Sequence, residues 1–227
     1  MIPQEYVSSD EIYEDLCNKI EKLVYLPGDK ISESELCKHY GVSRHIVRSA
    51  ISRLKERALV TVYPQRGTFV SLIDMKRVEL ILFIREAVEQ EAIRLLQFSP
   101  QKVRDRMGEA MAKCLEKQKK AVKEQIDMDI FYELDNEFHG CFLEAVGRKD
   151  VMAIISEDYI HFRRWRNFDV GKSRRQPEII QEHIAIMEAL LKNDTKTAHE
   201  LLHAHLNTET RKQYIQERVS PEYFIYS

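Results

Sequence analysis

Only six prolines and seven glycines interrupt the 227 residues of this chain. Between them run long stretches in which apolar residues recur every three to four positions. Strands need a period of two, so a chain of this kind folds mainly as amphipathic helices. A first helix is predicted from Ser9 to Leu26, capped by Asp10 or Ser9, with Ile12, Leu16, Ile20 and Leu23 inward and "LPGD" as the stop. Ser32 is placed to cap "ESELCKHY", which Gly41 ends, and Ser43 to cap a helix reaching about Arg57. "LVTVYPQRGTFVSL" reads as a small hairpin around "PQRG". Beyond about Asp74 no strand is expected, and helices are predicted at about 75–97, 100–123, 126–146, 148–168, 174–192 and 194–216. Residues 71–78, "SLIDMKRV", form the expected linker. The fold class is mainly α: a small N-terminal unit over 1–72 and an all-α six-helix bundle over 73–227.

Composition narrows the setting. A chain 44% hydrophobic and 32% charged can bury a core and is no disordered tail. No run of 18 apolar residues occurs, and the N-terminus lacks a basic region followed by an apolar one, so neither a membrane span nor a secretory signal is expected. Cys17, Cys37, Cys114 and Cys141 show no paired spacing and read as reduced thiols of a cytoplasmic protein.

Charge is unevenly spread. Residues 1–37 hold nine acids against three bases, whereas residues 38–66 hold seven bases (Lys38, Arg44, Arg48, Arg53, Lys55, Arg57, Arg66) against one acid, Glu56. A net charge of -2 thus hides an electropositive stripe. Such a stripe is either a solvated helix face or the footprint of a nucleic-acid-binding element. On the helix from Ser43, Val47, Ala50, Ile51 and Leu54 share an inward face, while His45, Arg48, Ser49 and Ser52 share another. A short helix, a turn at Gly41, and a second helix with a basic, exposed N-terminal half make a helix-turn-helix, whose second helix fits the major groove. The hairpin adds a wing with Arg66 at its tip, and Gly67 lets backbone approach a sugar-phosphate chain.

"ISESELCKHYGVSRHIVRSAISRLKERALVTVYPQRGTFV" resembles the winged helix of the GntR family of bacterial transcription regulators, over about residues 10–72. The resemblance implies that Arg44, Arg48 and Gly67 stand at DNA-contacting positions, with Ser34 and His45 beside them. His45-Ile46 replaces the family's frequent Thr-Pro, Ser49 its Glu, and Ala58 its Gly.

The later helices carry polar groups on apolar stripes. Asp135 and His139, one turn apart, share a face with Phe131, Phe138 and Phe142. His183 lies on the stripe Ile179, Ile180, Ile186, Met187, Leu190, and His205 completes Ala198, Leu201, Leu202, with His199 and His203 facing outward. Each has a bland reading: a hydrogen-bonded core histidine, a His183–Glu182 ion pair, an Asp135–Arg85 pair. Together they suit one ion, because ligation would satisfy every buried polar group at once. One aspartate and three histidines fit zinc first, with nickel, manganese or iron as alternatives, and can leave positions open for water or a carboxylate.

"FIREAVEQEAIRLL", "DNEFHGCFLEAVG" and "EHIAIMEALLKND...AHELLHAHL" resemble the FCD effector domain of one branch of GntR regulators, over 77–215. The resemblance implies a divalent metal ion on Asp135, His139, His183 and His205, and Arg85 facing a small carboxylate effector. Arg163 of "YIHFRRWR" is a further candidate for that pocket. The implied function is a bacterial ligand-responsive transcriptional regulator, a repressor, working as a homodimer on a near-palindromic site in double-stranded DNA. Two alternatives stand beside it: the same regulator with a metal-free bundle serving only dimerisation, and a metal-dependent hydrolytic enzyme. The last lacks a convincing general base beyond the ligands.

Overall fold

A computed structural model describes residues 7–126, 128–155, 158–173, 175–206 and 221–226. Helix α1 (Ser9–Glu21) starts from a capping box. Ser8 Oγ accepts from the Glu11 backbone at 3.2 Å while Glu11 Oε2 accepts from the Ser8 backbone at 2.7 Å. The cap is therefore Ser8 rather than Ser9 or Asp10. The helix also stops five residues before Leu26, because Leu23 turns left-handed at φ 59°. Helices α2 (Glu33–Tyr40) and α3 (Arg44–Glu56) follow as predicted, parted by Gly41 at φ 67°. Ser43 sits at the N-cap of α3, yet its hydroxyl makes no capping bond. Ile12, Leu16 and Ile20 of α1 pack with Leu36 of α2 and with Val47, Ala50, Ile51 and Leu54 of α3. The positively charged face of α3 thereby stays outside.

The hairpin is β2 (Val60–Tyr63) and β3 (Gly67–Val70), and it gains a third strand, β1 (Lys30–Ile31), in the antiparallel order β1-β3-β2. Ala58, where the resemblance expects glycine, lies at φ 54°, a left-handed conformation costing a side-chain-bearing residue about 1 kcal/mol. The expectation of no strand beyond about Asp74 is corrected. Ile73–Asp74 forms β4 and pairs in parallel with β5 (Phe224–Ile225), which is two residues long and has no period to read.

Six α-helices follow β4 among the described residues: α4 (Met75–Leu96), α5 (Gln101–Lys123), α6 (Met128–Ala145), α7 (Tyr159–Ser173), α8 (Gln176–Leu191) and α9 (Thr195–Leu206). The chain is mainly α, with a winged helix-turn-helix and a helical C-terminal domain. The helix predicted over 148–168 is two pieces, a 3-10 turn at Lys149–Ile155 and α7. The helix predicted to 216 is described to Leu206, and the rest of it lies outside the described residues.

By packing, one compact unit gathers the described residues of 1–78, 157–167 and 218–227, and the other those of 79–156 and 168–217. A contiguous division at residue 72 does not include the part of α7 that the first unit contains. In the second unit Phe131, Phe138, Phe142, Ile186, Ala198 and Leu202 are buried at the heart of the bundle. Gly108 of α5 admits Leu191 of α8, since a Cβ there would lie 2.4 Å from Leu191 Cδ2.

A candidate DNA-reading face and a candidate metal centre

Burial of one side of α3 leaves Arg44, His45, Arg48 and Ser49 exposed at its N-terminal end. No acid occupies the first turn, so the helix N-terminus adds its partial positive charge to theirs. Arg48 Nε donates to Glu33 Oε2 at 3.0 Å, yet 64% of the Arg48 side chain faces solvent. Farther along, Arg53 is paired with Asp10 and lies over the Tyr13 ring, and Arg57 donates to the Tyr13 hydroxyl at 3.2 Å. The bases of α3 therefore divide: Arg44 and Arg48 point outward, whereas Arg53 and Arg57 brace α1. Ser34 is exposed on α2, with its hydroxyl 3.0 Å from that of Ser32. Arg66 is exposed at the wing tip with its guanidinium 5.6 Å from the centre of the Tyr63 ring. Gly67 adopts φ +112°, a backbone conformation that side-chain-bearing residues rarely take, and a Cβ there would press on Lys30 Cε at 3.1 Å. Lys30 itself is an exposed base beside the wing, and it escaped sequence reading because β1 is too short to announce itself.

The second constellation lies inside the bundle. Helix α6 supplies Asp135 and His139, α8 supplies His183, and α9 supplies His205. All four are buried, and one ligand atom of each lies within 4.8 Å of every other. Each ring is oriented through its Nδ1. His139 Nδ1 meets Glu89 Oε2 at 2.7 Å, His205 Nδ1 meets Glu182 Oε2 at 2.6 Å, and His183 Nδ1 meets Gln118 Oε1 at 3.0 Å. A neutral imidazole that donates at Nδ1 presents a lone pair at Nε2. The Nε2 atoms of His139 and His205 are 3.2 Å apart, and His183 Nε2 is 3.4 Å from Asp135 Oδ1. Two lone pairs aimed at each other over 3.2 Å repel, so the pair calls for a shared proton or a metal ion between them. A tetrahedral ion about 2.0–2.1 Å from its ligands would set them about 3.3 Å apart, so the donor set fits such an ion.

The residues behind these four side chains form a charged shell. Arg85, 3% exposed, donates from Nε to Glu89 Oε1 at 2.7 Å and brings Nη2 to 3.5 Å from Asp135 Oδ2. Burial by itself would raise the Glu89 carboxyl. The His139 ring and the Arg85 guanidinium beside it overcome that and hold it below the usual carboxylate range. Arg175 Nη2 reaches Glu182 Oε1 at 3.1 Å. His203, outward as expected, pairs with Glu86 at 2.6 Å.

The structure thus brings together Asp135, His139, His183, His205 and Arg85. Arg163 belongs elsewhere: its guanidinium forms a two-pronged bridge to Glu21 of α1, at 2.6 and 3.0 Å, within the first compact unit. Glu182 supports His205 rather than His183. Glu89 and Gln118 were not singled out as supports for the rings, although Gln118 is a polar residue on the buried stripe Met111, Leu115, Ala121 of α5 and was open to the same inference as the histidines.

Among the described residues no helix is long and apolar enough to cross a membrane. Residues 8–70 match the bacterial regulatory proteins of the gntR family, and residues 80–208 match the FCD domain. The chain is 29% identical over 198 residues to an HTH-type transcriptional regulator in an unstable DNA locus of Streptomyces ambofaciens, covering 86% of this chain and 80% of that one. It is 28% identical over 211 residues to the HTH-type transcriptional repressor RspR of Escherichia coli K12, covering 92% and 91%. Its fold matches a GntR transcriptional regulator from Rhodococcus sp. RHA1 with a TM-score of 0.68 at 20% identity, over 93% of this chain and 99% of that one. These similar proteins are regulators rather than enzymes. With a gntR-type helix-turn-helix followed by an FCD domain, the chain belongs to the GntR family of bacterial transcription regulators.

Proposed function

We propose that this regulator is a homodimeric repressor that reads a near-palindromic operator through α3 and the wing and senses a small carboxylate beside a divalent ion in its helical domain. The observation that carries the sensing half is the convergence of three imidazole Nε2 atoms and the Asp135 carboxylate, each ring oriented by its own Nδ1 partner. Asp135, His139, His183 and His205 would hold the ion, zinc before nickel, manganese or iron. When bound, the ion would supply a Lewis-acid anchor for an effector carboxylate. Glu89, Glu182 and Gln118 fix the ring tautomers, and Arg85 contributes a buried positive charge on the same side as Asp135. A cleft of about 500 Å³, lined by Ala121, Val122, Phe131 and Pro177 among others, has a volume suited to a small molecule. It lies one helical turn from Gln118 on α5 and from Asp135 on α6.

For the reading half, Arg44, His45 and Arg48 would enter the major groove, and Ser34, Arg66 and Gly67 would meet the backbone at its edges. A domain division near residue 72 fits this split of roles. A dimer is supported by α4, where Leu80, Phe83, Ile84 and Ala87 form an exposed stripe at i, i+3, i+4 and i+7. Pairing two such helices antiparallel about the centre of the stripe would bury these apolar side chains against their copies. Phe83→Glu is expected to yield a monomer in light-scattering chromatography. It should weaken binding to the palindromic site about a hundredfold and leave binding to an isolated half-site unchanged.

The test of the whole reading is a gel-shift titration on a duplex from the protein's own upstream region, with purified, metal-analysed protein. Binding should fall with salt along a log-log slope of about -0.9 per phosphate neutralised. A small carboxylate should release the duplex only from metal-loaded protein. Salt-insensitive binding would refute the reading half, and a carboxylate response unchanged by chelation would refute the sensing half.

A further inference from the structure

Residues about a hundred positions downstream of α3 complete the winged unit. The last carbonyls of a helix have no partner within it and must find one elsewhere. At the C-terminal end of α1, the Glu21 carbonyl accepts from Asn167 Nδ2 at 2.7 Å, while the Glu21 carboxylate takes the two-pronged bond from Arg163. At the end of α3, the carbonyl of the C-cap residue Arg57 lies 3.0 Å from His161 Nε2. Burial, helped by Arg77 and Arg164, pushes His161 down to about 4, so the ring is neutral near pH 7 and donates Nε2–H to that carbonyl. Just after β3, the Ser71 carbonyl accepts from Arg164 Nη2 at 2.6 Å, and Ile160 joins the apolar core of α1, α2 and α3. Residues 160, 163, 164 and 167 share one face of α7 at helical spacing. With His161 one position on from Ile160, the first turns of α7 therefore tie down the ends of α1 and α3 and the exit of the wing, three places that decide where α3 and the wing lie relative to each other.

We infer that the first turns of α7 set the position of the recognition helix and wing, which makes His161, Arg163, Arg164 and Asn167 positioning residues for DNA binding although none of them lies on the DNA-reading face. Arg163, a candidate for the effector pocket on sequence grounds, takes this role instead. The inference rests on the DNA-binding role of the helix-turn-helix and is independent of the metal centre.

The experiment uses the full-length protein and an operator duplex selected by the wild type from random-sequence DNA. Arg163→Glu and Glu21→Arg should each weaken binding tenfold or more, and the double variant should recover to within about threefold of wild type. Metal content and the log-log salt slope should stay at the wild-type values throughout, because no phosphate contact is removed. Arg163→Gln, a milder change checked by circular dichroism, should weaken binding less but with the same unchanged slope. Wild-type affinity in the single variants, or a double variant as weak as the singles, overturns the inference. A slope reduced by about one in Arg163→Gln also overturns it, because Arg163 would then be touching phosphate directly.

Discussion

Arg48→Ala is expected to lower affinity for the selected operator by about ten- to a hundredfold and to remove the base preference at the position it faces, with the melting temperature nearly unchanged. Magnitudes separate the two effects. A planar guanidinium bonding two acceptors on a base edge contributes about 1–3 kcal/mol of discrimination. The pair Arg48 makes with Glu33 in the free protein is an exposed one, with the arginine side chain 64% accessible. Such pairs contribute about 0–1 kcal/mol to folding. Loss of recognition therefore far exceeds loss of stability. Fluorescence anisotropy on duplexes differing by single base pairs measures the first, and a thermal melt the second. A fall in melting temperature that accounts for the lost binding would mean that Arg48 braces α2 instead of reading DNA. Arg53→Ala supplies the opposite pattern. Its guanidinium is committed to Asp10 and the Tyr13 ring, so stability should decline while base preference persists.

His183→Ala should have the largest effect in the second unit, lowering metal affinity about a hundredfold or more. Loss of an outer-shell support alone costs about 10–100-fold, and a ligand contributes more than its support. The ring is fully buried, stacked on Phe138 at 4.1 Å between centroids and 14° between planes, and its Nδ1 is held by Gln118. Removing it takes away a ligand and opens a space beside Phe138, so the metal-free variant should also melt lower than metal-free wild type. The separating measurement is the rise in melting temperature on adding zinc. Saturation at a thousand times the dissociation constant stabilises a native state by about 4 kcal/mol. At the same zinc concentration that stabilisation should fall to about 1.4 kcal/mol or less in the variant. An equal rise in both proteins would place the ion elsewhere.

What the sequence revealed follows from what periodicity can carry. Helix faces separated inward from outward groups correctly for Val47, Ala50, Ile51 and Leu54 on α3, and for Asp135, His139, His183 and His205 in the bundle, all of which are buried. A face says that a group points inward but not what it meets. Glu182 and His183 are adjacent in sequence and so lie about 100° apart on the helix, which is why Glu182 serves His205 on another helix. Arg163 sits in "YIHFRRWR", where bases and aromatics alternate without a clear apolar stripe, and its partner Glu21 is 142 residues away. β1 and β5 owe their existence to backbone pairing with β3 and β4, a signal no two-residue segment contains. Capping was legible only to within a residue or two, as Ser8 in place of Ser9 or Asp10 illustrates.

The arrangement also shows how charge is apportioned by role. Arginines that brace helix ends are partnered, as Arg53 with Asp10 and Arg163 with Glu21 are. Those at the start of α3 and the tip of the wing remain exposed. In the bundle, the carboxylates of Glu89 and Glu182 are directed at imidazole Nδ1 atoms, leaving the Nε2 atoms and Asp135 to define the centre.

The most direct measurement is a calorimetric titration of chelator-stripped, full-length protein with zinc, followed by X-ray absorption at the zinc edge. Uptake of one ion per chain, with a nitrogen-and-oxygen ligand sphere containing three imidazoles, is the expected result. Protein that takes up no ion, or binds it through sulfur ligands, would contradict the centre built from Asp135, His139, His183 and His205.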